Sequence, residues 1–181
     1  DTCLLVATGA QRADGPAIRR LDDPRLAQFR KALTDVMQDV AIQVVCDGEG
    51  VSKLMTVDVS GAEDDAAARR IGLAIGNSPL VKTAVAGEDA NWGRIVMAVG
   101  KSGESVDRDR LSIEIGGHKV ARRGRVVPGY DEAPVARHMQ GQRIHIAVDV
   151  GAADGKAKGC TRIWASDLTH GYISINADYR S

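Results

Sequence analysis

Three stretches of this 181-residue sequence carry polar groups at spacings that suit chemistry. The first is Asp47-Gly48-Glu49-Gly50-Val51-Ser52-Lys53, in which two glycines flank one carboxylate. Glycine lets a backbone turn tightly and approach a ligand closely. A glutamate held in such a turn is a poor core residue and a fitting partner for a cation. A solvated turn with an incidental acid is the commoner use of such a sequence. The second stretch runs from Ser78-Pro79-Leu80-Val81-Lys82-Thr83 through Gly87-Glu88-Asp89-Ala90-Asn91-Trp92-Gly93-Arg94. It sets two acids, an amide, an indole and a guanidinium in one loop, either to touch a ligand or to tie the loop down. The third is the tail, Ser174-Ile175-Asn176-Ala177-Asp178-Tyr179-Arg180-Ser181, which offers amide, hydroxyl and carboxylate groups in a short span. Such groups fix an amino-acid-like ligand through several directed bonds.

Other chemistries find less support. Gly100-Lys101-Ser102 lacks the earlier glycine of a phosphate loop, because Ile95 stands at that position. No G-x-G-x-x-G follows a strand, so dinucleotide binding is unsupported. His118, His138, His145 and His170 are scattered singly, with no metal-ligand spacing. His145 falls on the polar side of an alternating run and reads as exposed. Arg122, Arg123 and Arg125 read as a solvated strand face.

The elements that must hold these groups follow from periodicity. Thr2–Thr8 is an apolar run closed by Gly9 and reads as a buried strand that starts at once, as expected of a fragment or a processing product. Asp23 and Pro24 form a helix start. Leu26, Phe29, Leu33, Val36, Met37, Val40, Ile42 and Val45 then predict a helix to about Cys46 with a stripe facing the core. Lys53–Ser60 alternates as a half-buried strand. Helices are predicted over Glu63–Ile75, from Pro79 to about Ala86 behind a Ser78 cap, over Arg94–Val99 and over Asp131–Met139. Strands are predicted over Leu111–Ile115 and Lys119–Val127 around a Gly116-Gly117 turn, and over Arg143–Val150, with Lys156–Ser166 as its partner. The tail reads as docked. The irregular order of strands and helices predicts an α/β chain of sheets covered by helix layers.

Composition sets the limits. Apolar residues make up 44% of the chain and aromatics 3%, so the core must be built from Ala, Val, Ile and Leu. Charges balance at 24 against 24, which argues against nucleic acid as a partner. No apolar run approaches the roughly 18 residues of a membrane span. Cys3, Cys46 and Cys160 lie far apart. Their odd count suits reduced thiols, buried as small apolar residues.

Five blocks in order, Asp47–Lys53, Ser78–Thr83, Gly87–Arg94, Gly129-Tyr130-Asp131-Glu132 and Ile175–Ser181, resemble the ornithine acetyltransferase family of arginine biosynthesis. The likeness runs nearly the whole length. It implies one domain over residues 1–181, the C-terminal part of that enzyme's β chain, in a layered αββα arrangement like that of N-terminal-nucleophile enzymes. It also implies a cytoplasmic enzyme moving an acetyl group from N-acetylornithine to glutamate, with acetyl-CoA a co-substrate for some members and no other cofactor. Members cut themselves, and the new N-terminal threonine becomes the nucleophile, its own α-amine serving as base. By position, Glu49, Asn176 and Ser181 match the family's substrate-binding residues. Thr2 does not match the nucleophile. It follows Asp1, so its amine lies in a peptide bond, and the segment resembles a later part of the family. No catalytic residue is therefore expected in this chain. The nucleophile and the oxyanion hole are expected upstream, on the α chain and the missing start of the β chain, in an assembly of processed protomers. Two other classes stay open on the residues alone: a non-catalytic amino-acid-binding domain, and an amidase or peptidase using an N-terminal nucleophile.

Overall fold

The computed structural model describes residues 4–9, 16–151 and 158–178. The chain divides into two compact units, Asp1–Asp39 and Val40–Ser181.

In the second unit the sheet is built around the strand that follows the glycine-flanked turn. This strand, β1 (Leu54–Ala62), lies between β5 (Arg143–Asp149), parallel to it, and β6 (Gly159–Ser166), antiparallel to it. Beyond β5 come β2 (Ser112–Ile115), β3 (His118–Arg122) and β4 (Arg125–Val126), giving the order β4-β3-β2-β5-β1-β6. Side chains alternate across a strand, so the register decides each face. Met55, Val57 and Val59 lie beside Ile144, Ile146 and Val148, and all six are buried. They join one core with helices α2 (Asp65–Gly76), α3 (Pro79–Ala86), α4 (Trp92–Gly100) and α5 (Ala133–Met139). Full burial of each such side chain stabilises the fold by about 1.5–3 kcal/mol. The opposite face carries Thr56, Asp58, His145, Ala147, Arg162 and Trp164. The expected mixed α/β layering is thus present, as a sheet under a layer of helices.

Local signals placed the helices well. Asp64 caps α2, its carboxylate accepting from Ala67 N at 2.7 Å. Ser78 caps α3 with Pro79 in its first turn. Asn91 caps α4, which begins at Trp92, two residues before the predicted Arg94. Gly116 and Gly117 both have positive φ, at 60° and 79°, and turn β2 into β3. Gly100-Lys101-Ser102 closes a helix instead of opening one, the wrong polarity for holding a phosphate.

Five expectations need correction. β6 is not the partner of β5, because β1 lies between them and takes the facing hydrogen bonds of both. The strand predicted over Lys119–Val127 is broken by Arg123 and Gly124, both at positive φ, into β3 and β4. The run at the start of the chain is no buried strand where it is described: residues 4–9 form no strand, and Leu4, Leu5 and Val6 are exposed. A strand needs a neighbour's hydrogen bonds, and an apolar run alone does not supply one. The long helix is present, as a 3₁₀ turn at Pro24–Leu26 and α1 (Ala27–Cys46), with Asp23 capping the turn. Its stripe is not buried, however: Leu33, Ile42 and Val45 are half-buried, while Phe29, Val36, Met37 and Val40 are exposed. Periodicity reports that a helix has an apolar side, not that the same chain covers it. Cys46 and Cys160 are exposed, since one ends α1 and the other lies at the start of the edge strand β6; Cys3 is outside the described residues.

Among the described residues no helix is long and apolar enough to cross a membrane.

Candidate functional site around the Glu49 turn

The Asp47–Lys53 turn meets the junction where β6 passes into α6 (His170–Ala177). The junction is Ser166-Asp167-Leu168-Thr169, and each of its residues is bonded to one of the sequence blocks. Asp167 is only 3% exposed. Its carboxylate accepts from Ser52 N at 2.9 Å, from Lys53 N at 3.1 Å and from the Ser52 hydroxyl. Three donors are what an ionised carboxylate needs on leaving water. In return, Asp167 N donates to Lys53 O at 3.1 Å. Leu168 N donates to Lys82 O at 3.2 Å, and Lys82 Nζ donates to the carbonyl and hydroxyl oxygens of Ser166 at 2.6 and 3.0 Å. Burial lowers the pKa of Lys82, and the negative charge of Asp167 opposes that shift. Finally, Thr169 Oγ1 donates to Gly50 O at 2.6 Å and accepts from Gly171 N at 3.1 Å, which caps α6.

Lys53 extends the network. Its side chain is 8% exposed, and Nζ reaches Glu88 Oε1 at 3.0 Å and Met139 O at 2.5 Å. Glu88 stands at φ 59°, a left-handed conformation unusual for a glutamate. It is the member of the Gly87–Arg94 loop that reaches the turn. The remaining polar groups satisfy one another. Asn91 Nδ2 donates to Asp89 Oδ2 at 3.2 Å, and Asn91 Oδ1 accepts from Arg94 N. Arg94 Nη1 donates to Leu80 O and Thr83 Oγ1 at 2.8 and 3.2 Å. Trp92 packs against the core. Of the two uses set out for this loop, the geometry favours tying down. In the fourth block Tyr130 also leans on the core, and Asp131 accepts from Ala133 N at 3.0 Å.

The glycine-flanked carboxylate and the tail amide come together. Asn176 Nδ2 donates to Glu49 Oε2 at 2.9 Å, across 127 residues of sequence. Gly50 shows why the turn needs its glycine. At φ +71°, a Cβ added there would lie 2.6 Å from the carbonyl carbon of Gly171, against the backbone of the first turn of α6. The close approach expected toward a ligand is instead made, at Gly50, to a helix of the same chain. Thr169, Tyr172 and Asn176 follow at offsets of three and seven residues, one face of a helix. That face lies along the turn: Thr169 bonds Gly50 O, and Asn176 bonds both Glu49 and Tyr172 O, the latter at 2.9 Å. Ser181 lies outside the described residues. Helix α6 is therefore seated by polar contacts, while Tyr172, Ile173 and Ile175 are exposed.

Glu49 and Asn176 are both exposed. One hollow of about 250 Å³ lies beside Ser52, Lys53 and Arg143, and another of about 300 Å³ beside Thr83, Leu168 and Ile173. Neither is lined by Glu49 or Asn176.

Two histidines read as scattered are in fact coupled. His145 is half-buried, and its Nε2 lies 2.8 Å from Asp58 Oδ2. Arg162 holds the same carboxylate through two bonds of 2.6 and 2.7 Å. The Arg162 bond holds Asp58 below the usual carboxylate range against the opposing effect of burial, and His145 adds to it. The backbone N of His145 donates to His138 Nε2 at 2.9 Å.

Sequence reasoning missed Asp167, Thr169 and the roles of the Lys53 and Lys82 side chains. Asp-Leu-Thr directly between a strand and a helical tail was the available signal, since threonine there is a helix cap.

The ArgJ family model matches residues 1–181. The chain is 57% identical, over its whole length, to the arginine biosynthesis bifunctional protein ArgJ of Gluconobacter oxydans (strain 621H), covering 41% of that protein. It is 55% identical, again over its whole length, to the ArgJ protein of Zymomonas mobilis, covering 43% of it. The chain thus spans about two fifths of the length of the curated relatives it matches. The crystal structure of the ArgJ protein of Bacillus halodurans superposes with a TM-score of 0.82 at 36% identity, covering 89% of this chain and 74% of that one. With the family model matched from end to end and a family structure following the same fold, this chain belongs to the ArgJ family.

Proposed function

We propose that this chain forms the amino-acid-binding part of an acetyltransferase of arginine biosynthesis. The enzyme moves the acetyl group of N-acetylornithine to glutamate through an acetyl-threonine ester. The nucleophilic threonine and the oxyanion donors lie upstream of this chain. The α chain of the same precursor is its partner, in a cytoplasmic assembly of processed protomers. Glu49, Asn176 and Ser181 hold the substrate.

The observation that carries the reading is the 2.9 Å bond between Asn176 and Glu49. The Asn176 amide nitrogen donates both to Glu49 and to Tyr172 O, which accept only. Its oxygen is therefore the atom left to face a ligand. A carboxylate beside an amide oxygen suits a primary ammonium, which has three donors and no acceptor. N-Acetylornithine carries such an ammonium on its side chain. Both residues are exposed, which agrees with a site closed by another polypeptide.

The test is Glu49→Gln in the full-length, self-processed enzyme. Losing one charge-assisted contact predicts a KM for N-acetylornithine raised about ten-fold or more, with folding intact. Wild-type kinetics in a processed, folded variant would refute the assignment. This chain expressed alone is expected to transfer no acetyl group.

A further inference from the structure

We infer that Thr169 and Asp167 are positioning residues for the Glu49–Asn176 pair, a proposal that rests on the reading of that pair just given. Neither residue touches the pair. Both act on the backbone that carries it. Glu49 precedes Gly50, whose carbonyl oxygen accepts the Thr169 hydroxyl proton at 2.6 Å. Two residues beyond Gly50, Asp167 gathers Ser52 N, the Ser52 hydroxyl and Lys53 N on one buried carboxylate. The turn is thereby held at its exit by Asp167 and within the turn by Thr169.

The same two residues set the start of α6. Asp167 N is bonded to Lys53 O, and the Thr169 oxygen accepts from Gly171 N as the helix cap. A single hydroxyl therefore joins the turn bearing Glu49 to the first turn of the helix bearing Asn176. Gly50 leaves no room for error in this seating, because a Cβ there would lie 2.6 Å from the Gly171 carbonyl carbon. Asn176 sits two helical turns beyond Thr169 on the same face, so a small rotation at the cap is carried to the amide. An exposed pair with only its mutual bond and the bond to Tyr172 O has no other means of holding its spacing among the described residues. Binding groups need support of this kind to stay within a fraction of an ångström of working geometry.

The experiment uses the full-length, self-processed enzyme with N-acetylornithine as the varied substrate. Thr169→Val removes both the tie to Gly50 and the helix cap. Thr169→Asp keeps the cap, since a carboxylate accepts from Gly171 N, yet has no proton to give to Gly50 O at neutral pH. Thr169→Ser keeps both. The expected result is a KM raised about five- to ten-fold in Thr169→Val and Thr169→Asp, the loss of one positioning hydrogen bond, with kcat within about two-fold. Thr169→Ser should stay within about two-fold of wild type in both constants, and Tm should fall in Thr169→Val alone. Glu49→Gln is measured alongside. If Glu49→Gln raises KM while Thr169→Asp keeps the wild-type value, the positioning role is overturned and the binding role of Glu49 survives. If Glu49→Gln itself leaves KM unchanged, the parent reading has failed and the positioning role falls with it. A fall in kcat and Tm together, with KM constant, would mark Thr169 as structural only and overturn the proposal. Should Thr169→Val fail to fold, Thr169→Asp and Thr169→Ser still decide.

Discussion

Two glycine turns look alike in sequence and do different work. Gly48-Glu49-Gly50 links helix α1 to strand β1, Gly116-Gly117 links strands β2 and β3, and Gly50, Gly116 and Gly117 all have positive φ. At Gly117 a Cβ would meet nothing within 4 Å, so the residue answers only to its dihedral angle. At Gly50 the same Cβ would strike the backbone of α6. Gly116-Gly117 reverses a hairpin; the Gly48–Gly50 turn is a seat for a helix that arrives 120 residues later. The lesson is that a glycine's cost of replacement depends on what stands opposite it, which the local sequence does not record.

The largest expected effect tests that difference directly. Gly50→Ala adds left-handed strain and a backbone clash, and should destabilise the protein by about 2–4 kcal/mol and remove most transfer activity. Denaturant unfolding and acetyl-transfer rates would show it; an alanine tolerated at Gly50 would break the comparison. Next comes Glu49→Gln in the same turn. Its side chain is exposed, so stability should change by no more than about 0.5 kcal/mol while KM shifts as described above. That separates the shape of the turn from its charge. In the hairpin, Gly117→Ala should cost only about 1 kcal/mol, the penalty of a left-handed residue with a side chain, and Gly117→Asn less still. A loss at Gly117→Ala as large as that at Gly50→Ala would erase the distinction.

The smallest effect concerns acid. His138 stands against the hairpin: a Cβ on Gly116 would lie 2.7 Å from its ring Cδ2. Its Nε2 accepts from His145 N, a bond that needs the neutral ring. Burial lowers its pKa below the ordinary histidine value, and His145 and His118 add to the shift. The native state then binds fewer protons than the unfolded chain. The contribution of His138 is complete above the ordinary value of about 6.5 and is lost as the pH falls from there through its lowered native value. Urea unfolding from pH 7.5 to pH 5 should show this small decline in wild type and lack it in His138→Phe.

Most of the fold was legible because its signals are local. Ser78-Pro79 and Asp23-Pro24 mark helix starts through bonds made within three residues. Alternation over Lys53–Ser60 and Arg143–Val150 set which side chains face the core. Glu49 and Asn176 were picked out in another way, by the resemblance of ordered blocks; the structure brings the two together, and their binding of substrate is the proposal made above. Asp167 was not legible. A carboxylate between a strand and a helix has many uses, and its three donors come from residues 114 and 115 positions away. The Asp58, His145 and Arg162 cluster was hidden for the same reason, as each residue lies on a different strand.

By itself the sequence determined where helices begin, which strand faces are apolar, where the chain must turn and which family its blocks resemble. These follow from hydrogen bonds and side-chain periods that span a few residues. The tertiary structure alone decided that β1 separates β5 from β6, that the apolar stripe of α1 is left largely exposed, and that Gly50 bears a helix. The physical reason is that every strand offers the same backbone donors and acceptors to every other. Only the competition among all pairings for one buried core selects the neighbours.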